Sequence, residues 1–211
     1  IKGNIKFIEL NDPHSKLYVY DDTIWVLMRE IFLLQVYGNF GEYNGIVIDA
    51  GAHCGTFSIP TSFYAKKVIS IEPDPINLKV LELNKLLNNR ENVEILPYAL
   101  YSKKDKLFLV REKFSGDSKI SNSIKSEIEV NTITLDEILG NYNEIELLKI
   151  DIEGAEFEVL LNTKNINKIK KIIGELHYDN PKLRDELKNY LNKNGFEFFE
   201  YKKSGIYNTS S

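Results

Sequence analysis

The chain has 211 residues, of which 43% are hydrophobic and 27% are charged, and its formal net charge is −4 at pH 7. This balance is typical of a globular domain and excludes a disordered or collagen-like chain, and the negative charge disfavours a general nucleic-acid-binding surface. The single cysteine, Cys54, excludes an intrachain disulfide and a CxxC zinc site, so a reducing cytoplasm is the expected location.

Residues 1–44 are predicted to form an N-terminal appendage. Two short strands at 5–10 and 16–20 flank a sequence of turn-forming residues. A helix is predicted to follow them, and its face around Trp25 is a candidate contact for a homodimer. The apolar stretch 24–37 is interrupted by two charged residues and is too short to cross a bilayer, so no membrane span is expected.

The second predicted unit, residues 45–211, alternates short β-branched runs with helical segments. In chain order these are strand 45–50, helix 55–64, strand 67–72, helix 75–89, strand 93–96, strand 146–151, helix 155–163, strand 171–176 and helix 181–194. Alternating units of this kind predict a doubly wound α/β fold, with a mainly parallel sheet and helices on both faces. Runs at 196–201 and 205–208 predict an antiparallel hairpin at the edge of that sheet.

An insertion at about 102–134 departs from this alternation. Its apolar runs 106–112 and 127–134 predict an antiparallel β-hairpin with a polar tip at 114–123. The tip is a candidate lid over the substrate. Ligand specificity is expected to depend on the shape of this insertion and of the appendage, because binding residues concentrate in such loops.

The most informative segment follows the first strand of the main unit, where Gly51 and Gly55 precede a helical pattern. Glycines permit a tight turn and close approach of the backbone, and a following helix presents free N–H groups to a polar ligand. A dinucleotide-binding fingerprint requires a glycine where this chain has His53, so NAD is disfavoured. An ordinary strand-to-helix turn would explain the glycines alone.

A second signal makes that ordinary explanation weaker. The next apolar strand ends at Glu72, about 20 residues beyond Gly51, which is the spacing at which a carboxylate meets ribose hydroxyls in folds of this kind. A carboxylate suits this task because it has two accepting oxygens and no donor. Asp74 is instead predicted to cap the helix that begins with Pro75.

Five motifs resemble the FkbM-type family of S-adenosylmethionine-dependent methyltransferases: DAGAHCG (49–55), IEPDP (71–75), TLDEI (134–138), KIDIEGAE (149–156) and ELH (175–177). The resemblance spans roughly 45–178. It implies a class I methyltransferase (Rossmann-like) fold, S-adenosylmethionine as the methyl donor, S-adenosylhomocysteine as the product, and O-methylation of a hydroxyl on a sugar, glycan or small natural product.

The resemblance also implies a set of donor-binding residues. These are Asp49, Gly51, His53, Gly55, Thr56, Glu72, Pro73, Tyr98 and Ala99. The family usually has asparagine at the position of His53, so contacts to the amino-acid end of the donor are expected to differ here. Binding is expected to persist, because much of the recognition at a glycine loop comes from backbone groups.

Acid-base candidates lie at the ends of two later strands, where ligands of open α/β sheets bind: Asp151, Glu153, Glu175 and His177. A positioned base would take the acceptor's proton as its oxygen attacks the methyl group. The alternatives are that Asp151 orients the donor's ammonium group, that Glu153 and Glu156 are first-turn helix acids, and that His177 is structural. A cation held by Asp151, Glu175 and His177 is disfavoured, because no close-spaced ligand motif accompanies them, and no metal is predicted.

Two other functions remain open. The stretch 55–75 is also similar to the donor-binding region of tRNA guanine-N1 methyltransferases, although the KIDIEGAE motif and the acidic chain fit that group poorly. The third possibility is a catalytically idle domain that binds the donor or a protein partner.

Overall fold

The computed structural model describes residues 5–11, 13–20, 37–110, 119–121, 128–177 and 180–200. The strands are β1 (Ile5–Asn11), β2 (His14–Tyr20), β3 (Ile46–Ala50), β4 (Lys67–Ile71), β5 (Val93–Leu96), β6 (Ala99–Leu100), β7 (Lys106–Val110), β8 (Lys119–Ser121), β9 (Ile128–Ile133), β10 (Ile145–Ile150) and β11 (Ile169–Gly174). The α-helices are α1 (Ser58–Thr61), α2 (Pro75–Leu87), α3 (Leu135–Leu139), α4 (Glu156–Leu161) and α5 (Pro181–Lys193). Short 3-10 helices span Phe40–Glu42 and Ile166–Lys168.

The central sheet has five parallel strands in the order β11-β10-β3-β4-β5. Successive residues of its strands point to opposite faces, so Val47 and Ile48 enter two different hydrophobic clusters. Helices α3, α4 and α5 supply residues to the cluster around Ile48, while α1, α2 and the β1–β2 hairpin supply the cluster around Val47. This arrangement confirms the prediction of a doubly wound α/β fold.

The N-terminal hairpin is joined to the main unit by two asparagines, Asn84 on helix α2 and Asn88 at the C-terminal cap of that helix. Asn84 accepts a hydrogen bond from Tyr18 N (2.7 Å) and donates to Tyr18 O (2.9 Å), and Asn88 does the same with Lys16 (2.8 and 2.6 Å). Strand β2 also buries Leu17 in the shared core. The hairpin is therefore packed on the α/β unit. The predicted Trp25 helix and its dimer face lie outside the described residues.

The insertion forms a second sheet in the order β6-β9-β7-β8. Strands β7 and β9 pair antiparallel, as predicted, over a small core that includes Leu107, Leu109 and Val130. The segment predicted as a polar tip is not entirely a loop, because it contains β8, which pairs with β7. A three-residue strand is too short to show a clear alternation of apolar and polar residues. The rest of the tip, 114–118 and 122–123, lies outside the described residues, and the lid stays a prediction.

Two other segments differ from the predicted elements. The helix predicted at 55–64 is regular only over α1, and turns surround it. Residues 196–200, predicted as the first strand of a C-terminal hairpin, form no strand. They form an irregular segment instead. Phe196 and Phe198 of this segment pack against the core, and Glu200 pairs with Arg184 of α5. Residues 201 and 205–208 lie outside the described residues. Across the described part of the chain, each helix is too short or too polar to traverse a bilayer.

Candidate active site

The glycine loop after β3 has a backbone that few residue types can adopt. Gly51, His53 and Gly55 have φ angles of +79°, +52° and +87°. A Cβ atom on Gly51 would lie 1.8 Å from the carbonyl oxygen of Asp151, so glycine is required by both the dihedral and the space. The amides of Gly51 and Ala52 both donate to Ile71 O, each at 3.0 Å, which joins the loop to the end of β4.

Glu72 lies directly beside this loop. Its buried carboxylate accepts hydrogen bonds from the amides of His53 (2.8 Å) and Asp74 (2.9 Å) and from the side chain of Asn77 (3.2 Å). Burial, together with the nearby Asp74 carboxylate, raises the pKa of Glu72 to about 7 in spite of these bonds. Asp74 caps α2 by accepting from Ile76 N (2.7 Å), as predicted.

Asp49 supports the loop through its neighbours. Its buried carboxylate forms an ion pair with Lys149 Nζ (3.1 Å) and accepts a hydrogen bond from Ser58 (2.5 Å). Lys149 in turn donates to Gly51 O at 2.9 Å. Burial opposes the charge on Lys149, but the carboxylates of Asp49 and Asp151 outweigh it and raise the lysine's pKa. Lys149, which was not among the predicted site residues, therefore connects β10 to the loop.

The other predicted donor-binding residues adjoin the loop and Glu72. Thr56 is buried directly after Gly55, and Pro73 is half-buried next to Glu72. The end of β5 contacts Glu72 through the backbone, because Leu96 O accepts hydrogen bonds from both Glu72 N (3.2 Å) and Tyr98 N (2.9 Å). Ala99 follows as the buried first residue of β6. Within the loop, burial raises the pKa of Cys54 to about 12, so its buried thiol stays protonated and packs as a small apolar group.

The four acid-base candidates meet at the ends of β10 and β11. His177 Nε2 lies 3.6 Å from Glu153 Oε2 and 4.0 Å from Glu175 Oε2. Asp151 accepts a hydrogen bond from the Tyr37 hydroxyl at 3.0 Å. The hydrogen bond between His177 and Glu156, aided by the other nearby carboxylates, raises the pKa of His177 to about 9 against the effect of burial.

Glu156 has a larger role than the first-turn helix acid that the sequence suggested. Its carboxylate is fully buried, accepts from Ile152 N (3.0 Å) and from Gly154 N (3.1 Å), and lies 3.1 Å from His177 Nδ1. Burial alone would raise the pKa of Glu156, but the bonds from His177 and from the Gly154 amide hold it below its usual value. Glu156 thus fixes both the 152–154 turn and the ring of His177. Glu156 is the last residue of the KIDIEGAE motif, but the spacing of the motif does not show that it contacts His177.

A subset of these side chains is spaced like the ligands of a metal ion. One ligand atom each from Asp151, Glu153 and His177 lies within 4.8 Å of the others. This trio contains Glu153, whereas the group considered from the sequence contains Glu175 with Asp151 and His177. Glu153 reaches this position because its backbone is left-handed, with φ +57°, which the sequence does not reveal.

The acid-base cluster and the glycine loop form one continuous region. Asp151 N donates to Ala50 O (3.0 Å) at the end of β3, and the Asp151 carbonyl packs directly against the Cα atom of Gly51. The chain combines a parallel sheet of this strand order with a glycine loop after the central strand and an acid after the next strand. This combination is that of the class I methyltransferase fold.

Comparisons with known proteins are consistent with that class and identify the family. The model of the methyltransferase FkbM domain matches residues 49–198, so the chain belongs to the FkbM methyltransferase family. This confirms the resemblance noted from the motifs.

Individual relatives are more distant. Methyltransferase sdnD of Sordaria araneosa is 25% identical, with an alignment covering 73% of this chain and 74% of that protein. Methyltransferase 1 of Beauveria bassiana (strain ARSEF 2860) is also 25% identical, with 78% and 76% covered. The crystal structure of methyltransferase FkbM from Methylobacillus flagellatus KT matches with a TM-score of 0.53 at 19% identity, over 79% of this chain and 41% of that one. The chain thus spans about two fifths of that structure, and the likeness concerns the fold alone.

Proposed function

We propose that this protein transfers a methyl group from S-adenosylmethionine to a hydroxyl of a sugar, glycan or small natural product. The observation that carries the proposal is the contact between Glu72 and the glycine loop, in which a buried carboxylate accepts the His53 amide at 2.8 Å. This brings an acceptor for ribose hydroxyls next to a loop whose backbone can approach a ligand closely. Membership in the FkbM family supports the same reading.

The donor would lie along the carboxyl edge of β3 and β4. Glu72 keeps about one accepting site for the ribose beyond the three hydrogen bonds described above, because a carboxylate offers about four accepting sites. Tyr98 and Ala99 would lie toward the adenine, since Leu96 O links them to the end of β4. Asp49 and Lys149 hold the loop, and Gly51 to Thr56 would face the amino-acid end of the donor.

The acceptor would bind at Asp151, Glu153, Glu175 and His177. In the reaction, the acceptor oxygen forms a bond to the methyl carbon while the carbon–sulfur bond breaks, and S-adenosylhomocysteine leaves as a neutral thioether. The hydroxyl proton passes to a basic group of this cluster. Because the sulfonium is already a good leaving group, alignment of oxygen, carbon and sulfur supplies much of the rate.

The first experiment is a calorimetric titration of the full chain with S-adenosylhomocysteine, with NAD as the control ligand. Selective binding of S-adenosylhomocysteine is expected. Methyl-labelled donor and a panel of hydroxylated acceptors then test the reaction by product mass. Absence of donor binding by folded protein would overturn the proposal, and binding without methyl transfer to any acceptor would favour the idle domain.

The donor affinity is expected to depend on pH through Glu72, whose pKa is about 7. Ribose hydroxyls donate to the ionised carboxylate, so the affinity for S-adenosylhomocysteine should rise toward pH 8 and fall by up to about tenfold per pH unit below 7. Calorimetric titrations across this range measure the effect. Glu72→Gln should give a flatter profile and an affinity lower by about tenfold or more at pH 8. An equal slope in wild type and variant would assign the pH dependence to another group.

Substitution of His177 is expected to lower turnover without a large change in donor affinity. His177→Gln should lower kcat by about 100-fold or more, because it removes a group of the acceptor cluster, while the dissociation constant for S-adenosylhomocysteine changes little. His14→Gln is the matched control, since His14 is an exposed histidine on β2. Unchanged turnover in His177→Gln would remove His177 from the reaction.

A further inference from the structure

Asp151, Glu153 and His177 have the chemistry and the spacing of a cation site. Two carboxylates and an imidazole, with ligand atoms within 4.8 Å of one another, converge where β10 and β11 end. All three side chains are half-buried, so solvent and a ligand can reach them. Carboxylate oxygens and imidazole nitrogen together suit divalent first-row ions such as Mn²⁺.

A second layer of residues orients these three side chains. Glu156, fully buried, bonds His177 Nδ1 at 3.1 Å, which leaves Nε2 directed toward Glu153. Metal-binding histidines are held in this way, with the second ring nitrogen bonded to a carboxylate. The Tyr37 hydroxyl similarly donates to Asp151 Oδ2 at 3.0 Å, which helps to fix the orientation of that carboxylate.

The charge balance also favours a cation. The carboxylates that meet around the single imidazole belong to Asp151, Glu153, Glu156 and Glu175. Lys149 offsets only part of this negative charge, because it interacts with Asp151 while its ion-pair partner is Asp49, at 3.1 Å. Carboxylates brought this close repel one another, and a divalent ion would relieve that repulsion.

We propose that Asp151, Glu153 and His177 bind a divalent cation of the Mn²⁺ type, with Glu156 as the residue that positions His177. The role of the cation rests on the proposed function. It would hold the acceptor hydroxyl as a ligand and favour release of its proton to Glu175 or water as the bond from oxygen to the methyl carbon forms.

The test is a titration of the chelator-treated chain with MnCl₂, without donor or acceptor. Calorimetry and electron paramagnetic resonance, in which bound Mn²⁺ loses the sharp signal of the free ion, report binding directly. Glu153→Gln and His177→Gln should each weaken binding by about tenfold or more, and Glu156→Gln by about 10- to 100-fold. Glu158→Gln, a change of the same chemistry at an exposed residue of α4, should leave it unchanged.

The outcomes separate this proposal from the proposed function. Absence of Mn²⁺ binding by folded protein, or binding that Glu153→Gln and His177→Gln leave intact, would overturn the cation site. Methyl transfer that persists in excess chelator would overturn the role of the cation while the methyltransferase function stands. Mn²⁺ binding without methyl transfer would leave the cation site in place and contradict the proposed function. Circular dichroism of each variant excludes loss of folding as the cause.

Discussion

Gly51→Ala is expected to destabilise the protein by about 4 kcal/mol, because two costs act at once. The left-handed backbone, with φ +79°, disfavours any residue with a Cβ atom, and the added atom would lie 1.8 Å from the Asp151 carbonyl oxygen. That oxygen belongs to the backbone and cannot rotate away. Urea unfolding followed by circular dichroism measures the change.

Gly195→Ala is the matched control. Gly195 has a similar φ of +88°, but a Cβ atom there would meet nothing within 4 Å. Its substitution should cost only about 1 to 2 kcal/mol, the cost of the backbone conformation alone. Equal losses at the two positions would show that the loop can move away from Asp151. Any Gly51→Ala protein that remains folded should bind S-adenosylhomocysteine more weakly, because the loop must shift.

Lys149→Met should have the second large effect, a loss of about 3 to 5 kcal/mol in the free energy of unfolding. The substitution leaves the fully buried Asp49 carboxylate without its cation, and it removes the donor to Gly51 O at 2.9 Å. Methionine retains the length of the side chain, so the loss reports the charge and its hydrogen bonds. The measurement is again urea unfolding.

Two comparisons separate this effect from a general one. Lys170, an exposed residue of β11, forms ion pairs with Glu144 (2.7 Å) and Glu146 (3.3 Å), and Lys170→Met should cost less than about 1 kcal/mol. Combining Lys149→Met with Asp49→Asn should recover part of the stability, because no unpaired charge remains buried. If Lys149→Met were no worse than Lys170→Met, the Asp49 pair would not stabilise the loop.

The elements with strong local patterns were predicted well. The strand predicted at 67–72 and the helix predicted at 75–89 appear as Lys67–Ile71 and Pro75–Leu87, with Asp74 as the cap. The segments that differed depend on distant partners. Residues 196–200 contain an aromatic pattern that suits a strand, but Phe196 and Phe198 pack against the core instead. Strand β8 forms its ladder with β7, a contact that its own sequence does not indicate.

The sequence by itself determined the alternation of strands and helices, the glycine loop and the acid that ends the next strand, and with them the resemblance to the FkbM family. These features are local, since periodicity, capping and backbone preference act within a few residues. Only the tertiary structure decided that Lys149 pairs with Asp49 and that Glu156 holds His177, 21 residues away in the chain. Such contacts depend on strand order and on left-handed residues such as Glu153, and buried charges must find partners wherever the fold brings them.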